Sequence, residues 1–436
     1  MPEHPTPKSA TLRALAERGF IEQVSDFAGL DEALDAGMVT FYIGYDPTAP
    51  SLHVGNLVTM MGMRLLQQHG HRPIVVLGSG TARIGDPTGR SDTRRILDAA
   101  QIAVHVASIR KQFARLIHFE SGKPNDALLF DNAQWLLGLG YIDFLRDVGR
   151  HFTVNRMIAA KTYRDRLEAE LPLSFLEFNY QLVQAYDFHW LHRNQGCTMQ
   201  AGGADQWGNM IAGVELIRRI RADARRDEQT SEGEAEPDQV HCLTFPLLTT
   251  ADGSKMGKTA KGAVWLDPDQ VSAFDYYQFW INCHDDDVVK ALRTFTDVPV
   301  AQIVEIAEQR GRELNEAKAL LAYEATRMLH GEEAAEHARR GAAQAFGRGE
   351  DWSALPLIEL PVASINLLDL VVHEQIGGFK SKRDARERIK SGAVKLDGEP
   401  ASDPAELIDA GRCGPEGLRV QIGPKKRLRV RLSQSA

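Results

Sequence analysis

The stretch Tyr42–Asn56, YIGYDPTAPSLHVGN, decides how the rest of the chain is read. It begins as a strand, because Met38 to Ile43 are mostly β-branched, aromatic or apolar. Gly44, Asp46, Pro47 and Pro50 stop that strand. Ser51 is a favourable N-cap, and Val54 through Gln68 has the pattern of a helix. The expectation is strand, loop, helix, with His53 in the first helical turn. Orphan N–H groups and the positive end of the helix dipole gather there, a natural seat for phosphate. Gly55, which has no Cβ, lets a ligand approach the backbone closely. Far downstream, Lys255-Met256-Gly257-Lys258-Thr259 places two lysines around a glycine in a turn-rich stretch, ADGSKMGKTAKG.

Arg72–Leu77 (RPIVVL) is a short apolar run of the kind buried inside a parallel sheet, so strand, helix, strand makes one βαβ unit. The next loop, GSGTARIGDPTGR, is glycine-rich, lacks the GK[ST] of a P-loop, and carries Asp86, Arg90 and Arg94. Ligands of open α/β sheets lie at the carboxyl ends of strands, where both loops fall. Residues 99–120 predict an amphipathic helix on Ile102, Val106, Ile109, Phe113, Leu116 and Ile117. Trp135, Leu136, Leu137, Tyr141 and Phe144 make the stretch 130–160 rich in large apolar residues, which suits core helices or an interface. A helix over Phe175–Leu191 puts Tyr180, Gln184 and Asp187 on one face. Its neighbours leave no clean apolar stripe opposite, so that face is read as a buried polar pocket.

Cys197–Gln200 reads as a strand, and GGADQWGN as a second glycine-rich loop entering a helix over 209–222. Residues 221–238 are polar, acidic in their second half, and read as a disordered insertion. Val240–Thr249 returns as a strand, and 270–347 as helices. Trp352–Pro361 reads as a linker. In the last module Ser381 caps a helix over Lys382–Lys390, and Asp397-Gly398 signals a hairpin.

The 436 residues suggest about three domains. The 43% hydrophobic and 25% charged fractions are those of a globular chain, with no apolar run long enough for a bilayer. Four scattered cysteines without a CxxC disfavour a zinc site or disulfide framework and point to a reducing cytoplasm. The net charge of −8 is unevenly spread: residues 366–436 carry 14 Lys+Arg against 10 Asp+Glu, locally +4, which leaves −12 on the remainder. A basic terminal module on an acidic body fits an RNA contact.

HVGN and KMGKT, in this order, resemble the two signature motifs of class I aminoacyl-tRNA synthetases. Phe41–Asn56, Gly85-Asp86-Pro87, Tyr180-Gln184-Asp187 and Gly202–Asn209 (GGADQWGN) extend the resemblance to the bacterial tyrosyl-tRNA synthetase family over nearly the whole chain. The resemblance implies an α/β, Rossmann-like parallel-sheet nucleotide-binding domain over 1–249, with inserted dimerisation helices at about 130–200. It further implies a connector loop at 250–268, a helical anticodon-side domain at 269–350, a linker at 351–365 and a small α+β RNA-binding domain at 366–436. The expected activity is tyrosine–tRNA ligation by a cytoplasmic homodimer, with ATP as substrate, Mg²⁺ accompanying it, no structural metal and no membrane. One tRNA is expected to span both subunits.

Residue by residue, the resemblance puts Thr48, His53, Lys255, Lys258, Thr259, Arg90 and Arg94 on the phosphates. Many relatives carry lysine where Arg90 stands and histidine where Asn56 stands. Tyr42 and Asp187 would hold the tyrosine hydroxyl. Asp86, Tyr180 and Gln184 would hold the ammonium, with Gln200 and Gln206 near the carboxylate. Gly44, Asp46, Gly55, Asn56, Gly203 and Asp205 would bind ATP beside His53 and Lys258. Lys382, Arg383, Arg386 and Lys390 would face tRNA through its backbone, since no aromatic residues are interleaved for base stacking. The alternatives are a tryptophan–tRNA ligase, disfavoured by the Tyr42/Asp187 pair, or an inactive synthetase-like RNA-binding protein, disfavoured by the intact His53 and lysines.

Overall fold

The structure, a computed structural model, describes residues 6–88, 98–227, 239–247, 249, 258–259, 262–309, 311–346, 355, 357–379, 381–423 and 426–433. The chain forms two compact units, Met1–Val271 with His284–Leu314, and Ser272–Cys283 with Asn315–Ala436.

In the first unit α1 (Ala10–Glu17), β1 (Gln23–Val24) and α2 (Phe27–Ala36) precede β2 (Thr40–Tyr45), α3 (Val54–Gln68), β3 (Arg72–Leu77), α4 (Ala99–Phe113) and β4 (Leu128–Asp131). Six helices follow: α5 (Ala133–Leu136), α6 (Tyr141–Asp147), α7 (Val154–Ala159), α8 (Lys161–Glu168), α9 (Phe175–Phe178) and α10 (Tyr180–Gln195). Then come β5 (Met199–Gly203), α11 (Trp207–Asp227), β6 (His241–Phe245) and a small pair, β7 (Lys258–Thr259) with β8 (Gly262–Ala263). The sheet order is β1-β6-β5-β2-β3-β4, with β1 antiparallel to β6 and the other neighbours parallel. β3 is buried from Pro73 to Leu77, as its unbroken apolar run requires.

α3 buries Val54, Leu57, Val58, Met60, Met61 and Met63. Its close seat on the sheet depends on Gly62, where an added Cβ would lie 2.5 Å from Cζ of the buried Phe245. The unit also takes in α13 (Val288–Phe295) and α14 (Val300–Ala307), which follow α12 (Ala273–Ile281). The Arg18 guanidinium donates to the carbonyls of Arg293, Thr296 and Val298, and Arg64 pairs with Asp297 at 2.7 Å. These bonds tie residues 293–298 to α1 and α3, a grouping that the helical pattern alone did not suggest.

In the second unit α12 buries Tyr276, Tyr277 and Trp280 beside α15 (Arg312–His330) and α16 (Glu332–Phe346), and Tyr276 lies 5.2 Å from the His330 ring. β9 (Leu357–Leu360), β10 (Ser364–Asn366), α17 (Leu367–Val372), α18 (Lys382–Lys390), β11 (Val394–Leu396), β12 (Glu399–Pro400), β13 (Leu407–Asp409), α19 (Ala410–Cys413), β14 (Leu418–Ile422) and β15 (Lys426–Leu432) complete it. A five-stranded sheet, β12-β11-β14-β15-β9, encloses a core that includes Leu370, Ile389, Val394, Val420 and Val430. The β11–β12 turn has φ of 49° at Asp397 and 93° at Gly398, the geometry an Asp-Gly hairpin favours.

Several boundaries differ from the sequence reading. The N-cap of α3 is His53, whose backbone N–H donates to Asn56 Oδ1 at 3.1 Å. Ser51 is instead buried, with its hydroxyl donating to the carbonyl of Leu52. α4 ends at Phe113, because Leu116 and Ile117 already turn back on the carbonyl of Phe113. The 175–191 helix breaks at Asn179, where the Ser174–Glu177 capping box has started a separate turn. α11 runs on to Asp227, since RADARRD is made of residues that a helix tolerates; 228–238 lie outside the described residues. Leu357–Leu360, read as linker from its flanking prolines, pairs in parallel with β15. The four cysteines are free thiols, and no described helix is long and apolar enough to cross a membrane.

Gly62→Ala is expected to destabilise the protein by about 1–3 kcal/mol, because overpacking against Phe245 outweighs the gain in helix propensity. Thermal unfolding measures it, and an unchanged or higher melting temperature would refute the tight α3–β6 seat.

Candidate active site

The parallel sheet runs outward in both directions from the β2–β5 pair, so β2 and β5 flank the point where the topology reverses. Loops leaving their carboxyl ends diverge there and open a crevice. Tyr42 and Gln200 are direct cross-strand partners at that point, 1% and 2% exposed. Both are polar and deeply buried, which costs free energy unless something satisfies them. The Tyr42 hydroxyl and Gln200 Oε1 have no hydrogen-bond partner among the described residues, and neither do Gln184 Oε1 and Thr88 Oγ1. Burial first, and then the nearby Asp187 charge, push the Tyr42 phenol well above its ordinary value, so it stays protonated and can donate.

Asp187 sits on α10, 4% exposed. Trp135 Nε1 donates to its Oδ1 at 2.7 Å, and Asn132 Nδ2 to its Oδ2 at 3.0 Å. Burial nevertheless dominates and pushes the carboxyl from 3.8 up to about 7, with Asp46 and Asp131 also raising it and the two donors opposing. Each oxygen keeps a lone pair for a further donor. Trp135 stacks on Trp190 at 4.2 Å, 13° between planes. Of the two settings that suit the apolar stretch 130–160, core or interface, Trp135 takes the core, buried against Asp187. Asn132 was not singled out at all; its only sequence signal is its place at the carboxyl end of the strand 128–131.

A second polar set lies across the crevice. Tyr180 donates to Asp46 Oδ2 at 3.0 Å, and Thr81 Oγ1 to Asp46 Oδ1 at 2.6 Å. A Cβ on Gly78 would fall 2.2 Å from Asp46 Oδ1, so the glycine is what admits this carboxylate. Gln206 Nε2 donates to Asp86 Oδ2 at 2.8 Å, Asn209 Nδ2 to Gln206 Oε1 at 3.1 Å, and the Thr88 N–H to Asp86 Oδ1 at 2.9 Å. Tyr180 therefore meets Asp46 directly, and Asp86 meets Gln206, pairings different from the grouping by substrate atom. Gly203 precedes Asp205 closely, with Oδ1 2.7 Å from where a Cβ would be.

The loop from Asp46 to His53 carries Thr48, whose N–H donates to the carbonyl of Asp46. It ends at the N-terminus of α3, where Gly55 and Asn56 are half-buried. Arg90, Arg94 and Lys255 lie outside the described residues; of Lys258 and Thr259 the backbone is described, as β7. Far along the chain, in the second unit, α18 buries Ala385 and Ile389 and exposes Lys382, Arg383, Arg386 and Lys390. Lys382 pairs with Asp369 and Arg383 with Glu387, while Arg386 and Lys390 have no ion pair among the described residues. Three cations of β15 are engaged internally: Lys426 caps the carbonyls of Ile376 and Gly377, Arg429 those of Leu355 and Glu416, and Arg431 pairs with Glu359 at 2.9 Å.

The family described as tRNA synthetases class I (W and Y) matches residues 35–347, and the S4 domain family matches 368–412. A tyrosine–tRNA ligase of Beijerinckia indica is 46% identical over 98% of this chain and 98% of its own length. One of Zymomonas mobilis is 46% identical over 96% of this chain and 97% of its own. Among solved structures, a C-terminally truncated mitochondrial tyrosyl-tRNA synthetase of Aspergillus nidulans superposes with a TM-score of 0.67 at 31% identity, covering 78% of this chain and 94% of that one. A buried phenol–carboxylate pair at the switch point of a parallel sheet, these matches over nearly the whole length and a C-terminal S4 domain together place the chain in the class I tRNA synthetase family of the tryptophan and tyrosine enzymes.

Proposed function

We propose that this chain is a tyrosine–tRNA ligase. The tyrosine carboxylate attacks the α-phosphorus of ATP, diphosphate leaves, and tyrosyl-adenylate forms. A ribose hydroxyl of the terminal adenosine of tRNA(Tyr) then takes the tyrosyl group and AMP leaves. The observation that carries the reading is the Tyr42 hydroxyl, buried without a partner next to a buried Asp187, in a chain 46% identical to a tyrosine–tRNA ligase. A phenol is both donor and acceptor, so it satisfies both groups: it gives its proton to Asp187 and accepts from Tyr42. Phenylalanine would leave the Tyr42 hydroxyl unpaired and give Asp187 no donor beyond Trp135 and Asn132, which is how such a site rejects it; tyrosine against phenylalanine is the standard illustration of this rule.

In this reading Asp86, Tyr180 and Gln184 receive the ammonium, and Gln200 and Gln206 face the carboxylate. The first step needs no protein nucleophile, since the carboxylate is already ionised. It needs in-line placement and stabilisation of charge on the phosphates. Thr48 and His53 serve there, with Arg90, Arg94, Lys255, Lys258 and Thr259, while Gly44, Asp46, Gly55, Asn56, Gly203 and Asp205 frame the adenylate. Mg²⁺ enters with ATP, on phosphate oxygens. Lys382, Arg383, Arg386 and Lys390 contact the tRNA backbone, and the setting is the cytoplasm. The protein works as a homodimer: α6 buries none of its seven residues and exposes Tyr141 (61%) and Ile142 (71%), and Leu137, Val154 and Ile158 of the same segment of chain are exposed as well. An apolar patch of this kind calls for a second copy.

Exchange of pyrophosphate into ATP, run with each of the twenty amino acids and no tRNA, is expected to respond to tyrosine alone. A response to tryptophan would overturn the pocket assignment, and silence throughout would overturn the enzyme reading. Tyr42→Phe is expected to lower kcat/KM for tyrosine by about 2- to 10-fold, the worth of one uncharged hydrogen bond, without lowering it for phenylalanine.

The folded protein holds the Asp187 proton up to about pH 7, whereas an unfolded chain releases it near 3.8. Stability from this group is therefore full below about pH 4 and lost as pH rises to about 7. Relative to Asp187→Asn, the ligand-free wild type should lose on the order of a few kcal/mol across that window. Denaturant unfolding at pH 4, 5.5 and 7.5 checks it; parallel curves for the two proteins would refute it.

Ile142→Asp, which puts a charge in the apolar patch, should halve the mass seen by light scattering at micromolar concentration. A wild type that is already monomeric would remove the dimer proposal.

A further inference from the structure

Among the polar side chains of helix α4, His105, Ser108 and Gln112 have spacings of three and four that put them on one face. All three reach the Asp46–His53 loop or the segment bonded to it. His105 Nδ1 donates to the carbonyl of Pro47 at 2.8 Å. Gln112 Oε1 accepts from the Leu52 N–H at 3.1 Å and lies 3.4 Å from Ser51 Oγ. Ser108 Oγ donates to Asp267 Oδ2 at 2.8 Å, and the Asp267 N–H donates to Ser51 Oγ at 3.1 Å. Gln112 and Ser51 are 2% and 3% exposed, an expensive place for an amide and a hydroxyl unless their bonds are needed.

The loop needs an external template. It has no regular secondary structure, contains Pro47 and Pro50, and makes little local bonding beyond the Thr48 N–H to Asp46 carbonyl contact. α4 grips it at Pro47 and again at Ser51–Leu52, on either side of Thr48 and immediately before His53. The second grip is doubled by backbone: the Leu266 N–H donates to the Leu52 carbonyl at 2.8 Å and the Val54 N–H to the Val264 carbonyl at 2.9 Å, so that Trp265 bridges His53. Among the described residues, no hydrogen bond joins these groups to Tyr42, Asp187 or Gln200.

We infer that the His105–Ser108–Gln112 stripe is a positioning device for the ATP-facing loop, fixing where Thr48 and His53 stand relative to the phosphates. The inference rests on the ligase reading of that loop. Its consequence is a split: loss of the stripe weakens use of ATP and leaves tyrosine binding alone, whereas a purely structural role would lower both in step with folded protein.

The test uses the full-length protein with ATP, Mg²⁺ and tyrosine. Gln112→Met keeps the volume and removes the acceptor; Ser108→Ala, at a half-buried position, serves if the first variant does not fold. Pyrophosphate exchange gives kcat/KM for ATP, and tyrosine affinity is read from tryptophan fluorescence, since Trp135 donates to Asp187 and stacks on Trp190. The expected result is a fall of about 10-fold or more in kcat/KM for ATP, with tyrosine affinity within about 2-fold of wild type. Combined with His53→Ala, Gln112→Met should cost less than the sum of the single effects, because both act through one contact. Unmoved ATP parameters, equal losses on ATP and tyrosine, or full additivity with His53→Ala would overturn the inference. Absence of tyrosine-dependent exchange in the unaltered protein would overturn the ligase reading and this inference together.

Discussion

The parallel pairing of β2 with β5 is the constraint on which the rest of the first unit depends. Because the sheet grows away from that pair in opposite directions, no connection can cover the carboxyl ends of the two strands. Tyr42 and Gln200 face the gap as neighbours, and the loops after the strands bring Asp46, Thr48 and His53 from one side and Gly203, Asp205 and Gln206 from the other. The six helices between β4 and β5 deliver Trp135, Tyr180, Gln184 and Asp187 to the same place. A slip of one residue between β2 and β5 would turn Tyr42 to the opposite face and dismantle the pocket.

That pocket is built against local stability. A carboxylate buried to 4% exposure is held by two neutral donors and by no cation among the described residues, and it lies within range of the Asp46 and Asp131 charges. Four further polar atoms in the crevice are left without protein partners among the described residues. A core of the same shape filled with apolar side chains would be more stable. The arrangement makes sense for a site in which a small, polar, rigid substrate supplies the missing bonds, and where the unmade bonds discriminate against an analogue lacking one hydroxyl.

Charge follows a similar economy in the second unit. Its C-terminal module has a local excess of cations, yet Lys426, Arg429 and Arg431 are spent on carbonyls and on Glu359 and Glu416 within the five-stranded sheet. The helix α18, with its buried Ala385 and Ile389 on the inner side, turns Lys382, Arg383, Arg386 and Lys390 outward beside Asp384 and Glu387. Counting cations along the chain overstated the available surface, because whether a guanidinium faces solvent or seals a strand end depends on the sheet that forms around it.

The sequence by itself determined a good deal. The β2–loop–α3 unit, with α3 ending at Gln68, the buried strand Arg72–Leu77 and the Asp-Gly hairpin were legible because each is specified by residues adjacent in the chain, through periodicity, turn chemistry and backbone stiffness. The motif words carried the resemblance to the synthetase family, which the matches over nearly the whole chain bear out. Tertiary structure decided what those words are attached to. Asn132 and Trp135 hold Asp187 from more than fifty residues away, Gln112 holds Leu52 from sixty, and residues 293–298 are tied to α1 and α3 through Arg18 and Arg64. Such contacts are made by side chains whose separation along the chain carries no pattern. They exist because burying a polar group in a close-packed interior obliges the fold to find it a partner wherever the neighbouring elements happen to supply one.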